Sequence, residues 1–175
     1  MYRVMCFVLC LASVLLASDV ITSPIKAVAN ESTATVVPLV ATSASIEEQV
    51  FSAINHFREE QHLSPLSMAK DLSSVARFHS QDMATRSYFD HISPDGNTMR
   101  KRVLGFGITN WNRLAENIAM NYGHNDPATV AVRGWLNSPA HRQNILDQDL
   151  TETGIGVAVD AKGRIYLTQL FARRK

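Results

Sequence analysis

The chain has 175 residues, of which 46% are hydrophobic and 19% charged, with a formal net charge of +1. That length suits one domain with appendages, and the composition is that of a globular protein rather than a fibrous or disordered one. A charge so close to neutrality supplies no electrostatic footprint for nucleic acid, and the cluster Arg100-Lys101-Arg102 reads as an exposed helix face.

Arg3 precedes an apolar run from Val4 to Leu16, followed by the small residues Ala17 and Ser18. This is the layout of a secretory signal peptide over residues 1–18, and the run is short for a membrane span. An uncleaved anchor is the alternative, and Ala27-Val28-Ala29 offers a second small-x-small cleavage site. Cys6 and Cys10 both lie inside the run, so the mature protein carries no thiol and relies on no disulfide. Residues 19–44 are rich in Ser, Thr, Val, Ala and Pro without periodicity, which predicts a linker. Asn30-Glu31-Ser32 within it is a glycosylation acceptor only in a eukaryotic secretory pathway.

The folded domain is predicted over 45–175. Ser45 and Glu48 form a capping-box pattern, and Ile46, Val50, Ile54 and Phe57 recur at helical spacing to about His62. After Leu63-Ser64-Pro65 a second amphipathic helix carries Leu72, Val75, Ala76, His79 and Met83 on one face. His79 there reads as a hydrogen-bonded buried histidine. Tyr88-Phe89-Asp90-His91 leaves the helix for the turn Ser93-Pro94-Asp95-Gly96, which sets His91 on a loop. Asn97 or Thr98 caps a short helix with Met99, Val103 and Leu104, ended by Gly105 and Gly107.

Between Asn110 and Met120, Trp111, Leu114 and Ile118 read as buried, so Glu116 and Asn117 are polar residues in an apolar stretch. An acid buried there needs a partner or becomes protonated, and the pattern equally allows an edge carboxylate facing water. Asp126-Pro127 opens a helix buried through Ala128, Ala131, Val132, Trp135 and Leu136. Ser138-Pro139 breaks it and starts a short new helix, with the Ser138 hydroxyl able to cap it and His141 and Asn144 sharing a face. The period then becomes two. Ile155, Val157 and Val159 alternate, Asp160-Ala161-Lys162-Gly163 turns, and Arg164 to Phe171 returns apolar on both faces, which predicts a sheet between helical layers.

The ordered motifs S-Q-D-M-A, F-D-H-I-S-P-D-G, A-E-N-I-A, W-L-N-S-P-A-H-R-Q-N-I-L, T-G-I-G-V-A and Y-L-T-Q-L-F resemble the CAP superfamily of cysteine-rich secretory, antigen 5 and pathogenesis-related 1 proteins. The disulfide-free, bacterial SCP-like extracellular branch is the nearer likeness. The resemblance covers about Ile46 to Phe171 and implies an α+β fold, a three-layer α-β-α sandwich with a central antiparallel sheet. It also implies a cleft lined by two histidines and two acids, in some members holding a divalent metal. Motif by motif, the histidines fall on His91 and His141 and one acid on Glu116; the second acid falls on Ser138, which removes a charge and a good ligand.

Candidate ligand-binding residues are therefore His91, Glu116, Asn117, Ser138, His141 and Asn144. His91, Glu116 and His141 form a candidate three-ligand metal set, for zinc or calcium. Three further arrangements are open from sequence: a Ser138-His141-Glu116 hydrolytic triad, a simple helix-capping role for Ser138, and a Glu116 that bridges both histidines and locks the loops. The leading expectation is a secreted, noncatalytic binding module for a lipid, cell-wall component or extracellular protein, without a membrane span after signal cleavage. The alternative is a metal-assisted hydrolase of peptide or cell-wall material.

Overall fold

The computed structural model describes residues 42–175, so the expected signal peptide and nearly all of the expected linker lie outside the described residues. Helix α1 (Ser43–Glu60) starts at Thr42 rather than Ser45. The Thr42 Oγ1 accepts from the Ser45 amide at 3.2 Å, and the Ser45 hydroxyl donates back to the Thr42 carbonyl at 3.0 Å. The cap is moved forward because Thr42 has the extended dihedrals an N-cap needs, while Ser45 is already helical.

There follow β1 (Ser67–Met68), α2 (Lys70–Arg86), α3 (Met99–Gly105), β2 (Trp111–Asn121), α4 (Pro127–Asn137), α5 (Pro139–Leu146), β3 (Glu152–Val159) and β4 (Ile165–Arg174). The sheet order is β1-β3-β4-β2. β2, β4 and β3 are antiparallel neighbours, and only the short β1 runs parallel, to β3. The sequence reading found the β3-β4 hairpin but no strand over 111–121. Two things mask it: Glu116 and Asn117 place polar side chains on both faces, and a register shift between Trp111 and Arg113 breaks the alternation.

Helices cover both faces of the sheet. On one side α1 and α4 bury Ile46, Val50, Ile54, Val132 and Trp135 against Ile155, Val157, Leu167 and Phe171. On the other, α2 buries Leu72, Val75 and Ala76 against Leu170 and Ala172, and Met83 against Ile118, Ala158 and Tyr166. The two-sided burial of β4 is as predicted, and the architecture is the α-β-α sandwich. α2 lies so close to β3 that a Cβ on Gly156 would meet the Arg77 amide nitrogen at 2.0 Å, and one on Gly154 the Ser73 nitrogen at 2.2 Å. Glycine is required there for backbone approach.

Two buried charged side chains, Glu47 and Arg58, tie the elements together. Glu47 on α1 takes two bonds from Arg77 Nε and one from its Nη2 at 2.6–3.1 Å, and its Oε1 also accepts the Val157 amide of β3 at 3.2 Å. Arg58, 2% exposed, donates to the carbonyls of Ser64, Ile145, Asp147 and Leu150. It thereby satisfies the carboxyl end of α5, where helix carbonyls lack intrahelical donors. Burial holds its pKa below the ordinary guanidinium value, with Asp147 opposing.

Candidate functional site

β2 is an edge strand, and successive side chains of a strand point to opposite faces. Ile118 packs on the α2 side, so Glu116 points there too, while Asn117 shares the α1 and α4 side with Ala115 and Ala119. The pair Glu116-Asn117 therefore reaches into both helical layers from one point on the edge. Asn117 donates through Nδ2 to the His141 carbonyl at 3.2 Å, and Asn144 donates to Asn117 Oδ1 at 2.9 Å and to the Glu116 carbonyl at 3.4 Å. Trp135 Nε1 donates to the Ile118 carbonyl at 2.9 Å. α4 and α5 thus close the outer hydrogen-bonding edge of β2 and hold His141 beside it.

From the other layer, His91 Nδ1 donates to Glu116 Oε1 at 2.8 Å and Arg102 Nη2 to Oε2 at 2.6 Å. Arg102 Nη1 also donates to the carbonyls of His91 (3.0 Å) and Asn97 (2.9 Å), fastening the histidine loop to α3. The Arg102 and Glu116 side chains are 1% and 4% exposed, whereas that of His91 is 49% exposed. The His91 and His141 rings lie 6.5 Å apart between centroids, tilted by 31°. Because a carboxylate cannot donate, the proton on neutral His91 sits on Nδ1 and Nε2 is the nitrogen left unengaged.

The hydrogen bond to Glu116 raises the His91 pKa above the ordinary imidazole value, with burial and Arg102 opposing. His141 goes the other way, lowered first by burial and then by the charge of His91. Of the arrangements open from sequence, the Glu116 bridge is present only in part: Glu116 holds His91, its second oxygen belongs to Arg102, and His141 is held through its backbone. Behind the site His79 is fully buried, and desolvation pushes its pKa to about 4. Its Nδ1 lies 3.5 Å from the Tyr88 hydroxyl, but Nε2 has no partner, so the histidine is less completely satisfied than expected.

Residues 51–171 match the family model described as the cysteine-rich secretory protein family, CAP. The chain belongs to the CAP family. It is 36% identical over 159 residues to YkwD of Bacillus subtilis, covering 85% of this chain and 60% of YkwD. It is 38% identical over 128 residues to the B. subtilis membrane protein YlbC, covering 73% of this chain but 34% of YlbC. A solved extracellular protein containing an SCP domain from Bacillus anthracis matches at 34% identity with a TM-score of 0.64, over 75% of this chain and 41% of that one. An outer surface protein from Borrelia burgdorferi, at 21% identity and a TM-score of 0.69 over 77% of this chain and 96% of that one, shares the fold. This chain is thus a CAP domain of the bacterial SCP-like branch, and it spans only part of the length of its Bacillus relatives.

In this CAP domain the sequence-selected residues separate. His91, Glu116, Asn117, His141 and Asn144 meet around the edge of β2. Ser138 does not join them: it sits between α4 and α5 with the extended dihedrals expected of a cap, but its hydroxyl makes no capping bond and none to His141 or Glu116. Among the described residues no three His, Cys, Asp or Glu side chains converge to hold a metal. A three-ligand zinc centre on His91, Glu116 and His141 is not assembled as the side chains stand: Glu116 is enclosed between Arg102 and the Nδ1 side of His91, with its side chain 4% exposed. Calcium fits less well still, since it asks for six to eight oxygens.

Arg102 is the residue that sequence reasoning missed. Read as part of an exposed basic face, it is instead buried at 3% exposure, while Arg100 and Lys101 are exposed as expected. The signal was the embedded Glu116, which demanded a cation, together with the position of Arg102 directly before buried Val103.

Proposed function

We propose that this CAP domain acts outside the cytoplasm as a noncatalytic binding module, engaging a cell-envelope, lipid or host ligand along the edge that carries His91, Glu116 and His141. Residues 1–18 serve as the export signal and the following segment as a tether. The observation that carries the reading is the enclosure of Glu116: Arg102 holds one oxygen, His91 the other, and the side chain is only 4% exposed, so the carboxylate is tied up in the support of the site and shielded from a substrate it would have to deprotonate. Ser138 has no hydrogen bond that would activate it as a nucleophile. What remains available is a half-exposed imidazole beside a second one, on a rigid support, which is a recognition surface. The likeness to a B. anthracis protein described as extracellular agrees with this location. Among the described residues no helix is long and apolar enough to cross a membrane.

The test compares wild type with a His91→Ala, His141→Ala double variant for retention on cell-wall fragments, lipid vesicles and immobilised extracellular proteins. Loss of retention in the folded variant is expected. Turnover of a peptide, ester or glycan library by the pure protein, abolished by His141→Ala, would sink the proposal in favour of hydrolysis.

A further inference from the structure

A groove of about 830 Å³ lies away from the histidines. It lies at the corner between α4 and α5 and is walled by the loop that leads to β3. Its volume is within the roughly 300–1,000 Å³ of ligand sites. Its floor includes Leu136 and Leu146, and it presents the side-chain amides of Asn137, Gln143 and Gln148. None of these amides hydrogen-bonds to another described residue, so all have donors and acceptors to offer.

The charges lining the groove are unequal in their availability. Asp147 and Asp149 are neutralised by Arg113, which contacts both, and Asp149 also pairs with Arg173 at 3.3 Å. Arg142, on the facing wall, has no carboxylate partner among the described residues. Its guanidinium lies over the Phe57 ring at 5.5 Å from the centroid, an arrangement that holds the planar group in place and leaves its N–H edge for a carboxylate. The uncompensated charge in the groove is therefore one oriented cation.

We infer that this groove is a second binding site, separate from the histidine edge, for a short peptide segment bearing a free carboxylate. The carboxylate pairs with Arg142, the amides of Asn137, Gln143 and Gln148 bond the peptide groups, and an apolar side chain rests on Leu136 and Leu146. A glycan is the poorer match, because no aromatic side chain lines the groove to stack against a sugar ring.

The experiment is an amide-resolved NMR titration of the full chain with a pool of random tetrapeptides ending in free carboxylates, and with the same pool C-terminally amidated. Shifts at Asn137, Gln143 and Gln148 are expected with the free-acid pool, with affinity lower by about tenfold for the amidated pool. Arg142→Gln, confirmed folded by its spectrum, removes that preference. Gln143→Ala weakens both pools alike. The His91→Ala, His141→Ala variant leaves groove binding unchanged, so failure of this inference and failure of the histidine-edge reading are read separately. Absence of groove shifts, equal response to both pools, or a preference that survives Arg142→Gln overturns the assignment.

Discussion

Arg102→Met is the sharpest test of how the site is held. Methionine keeps an apolar stem in α3 but removes three bonds, one to Glu116 Oε2 and two to the carbonyls of His91 and Asn97. Glu116 is then a carboxylate with a 4% exposed side chain and His91 as its sole charged partner. Breaking a buried pair from one side costs about 3–5 kcal/mol, because a charge is left in a poorly solvating place. His91 is half exposed and can be protonated in compensation, so the lower end, about 3 kcal/mol, is expected. With a urea slope of about 2 kcal/mol per molar, the unfolding midpoint falls by about 1.5 M. The control is Arg102→Met with Glu116→Gln, which removes the stranded charge as well. Its loss should fall short of the sum of the single losses by at least about 1 kcal/mol. An Arg102→Met loss under about 1 kcal/mol, or strict additivity in the cycle, would refute the claim that this ion pair is the structural centre of the site.

The two perturbed histidines give opposite limbs of a pH profile. His91, raised by Glu116, contributes stability that is full below its unfolded value of about 6.5 and fades as pH climbs through the folded value. Depressed to about 4, His79 contributes nothing new above about 6.5, but folding is weakened as pH falls from there toward about 4, by about 3 kcal/mol in all. Stability measured by urea unfolding should therefore peak near pH 6.5, and an unshifted His79 midpoint in an NMR titration removes the acid limb. Glu116→Gln should lower the His91 midpoint in the same titration; no change would mean that the bond at 2.8 Å does not control it. Gly156→Ala drives a methyl into the α2 backbone and should lose at least about 3 kcal/mol, while Gly105→Ala, with open space around it, should be near neutral; comparable thermal midpoints would contradict the close packing. Arg58→Met strips the donor from four carbonyls and should both destabilise the domain by about 3 kcal/mol and move the His141 amide resonance.

Much of this arrangement was legible in the residues, and the parts that were not have physical reasons. The apolar stripe of α2, the Ser138-Pro139 break and the two-faced β4 follow from periodicity and proline sterics, and all are present. The histidines, Glu116 and the two asparagines could be selected from motifs. Their partners could not, because a side chain's long-range contact leaves no local pattern. Arg102 and Arg58 are both Arg residues in helices with an ordinary polar appearance, yet each is at most 3% exposed and acts as a multi-bond clamp. β2 was missed for a related reason. A strand whose polar residues are bonded internally on both faces shows no alternation, since alternation records contact with water on one face.

The same strand explains why the site needs both a glutamate and the asparagine that follows it. Side-chain direction alternates along β2, so a slip of one residue against β4 would send Glu116 toward α5 and Asn117 toward Arg102. The acid would then face an α5 backbone carbonyl that cannot donate, and Arg102 would face an amide in place of its counter-charge. Register is thus enforced by chemistry at the site itself as well as by the hydrophobic core. Trp135 and Asn144 reinforce it by donating to the Ile118 and Glu116 carbonyls on the open side of the strand. A site built across a sheet edge in this way is rigid because two helical layers grip one dipeptide. Its two imidazoles keep their spacing only while both grips hold.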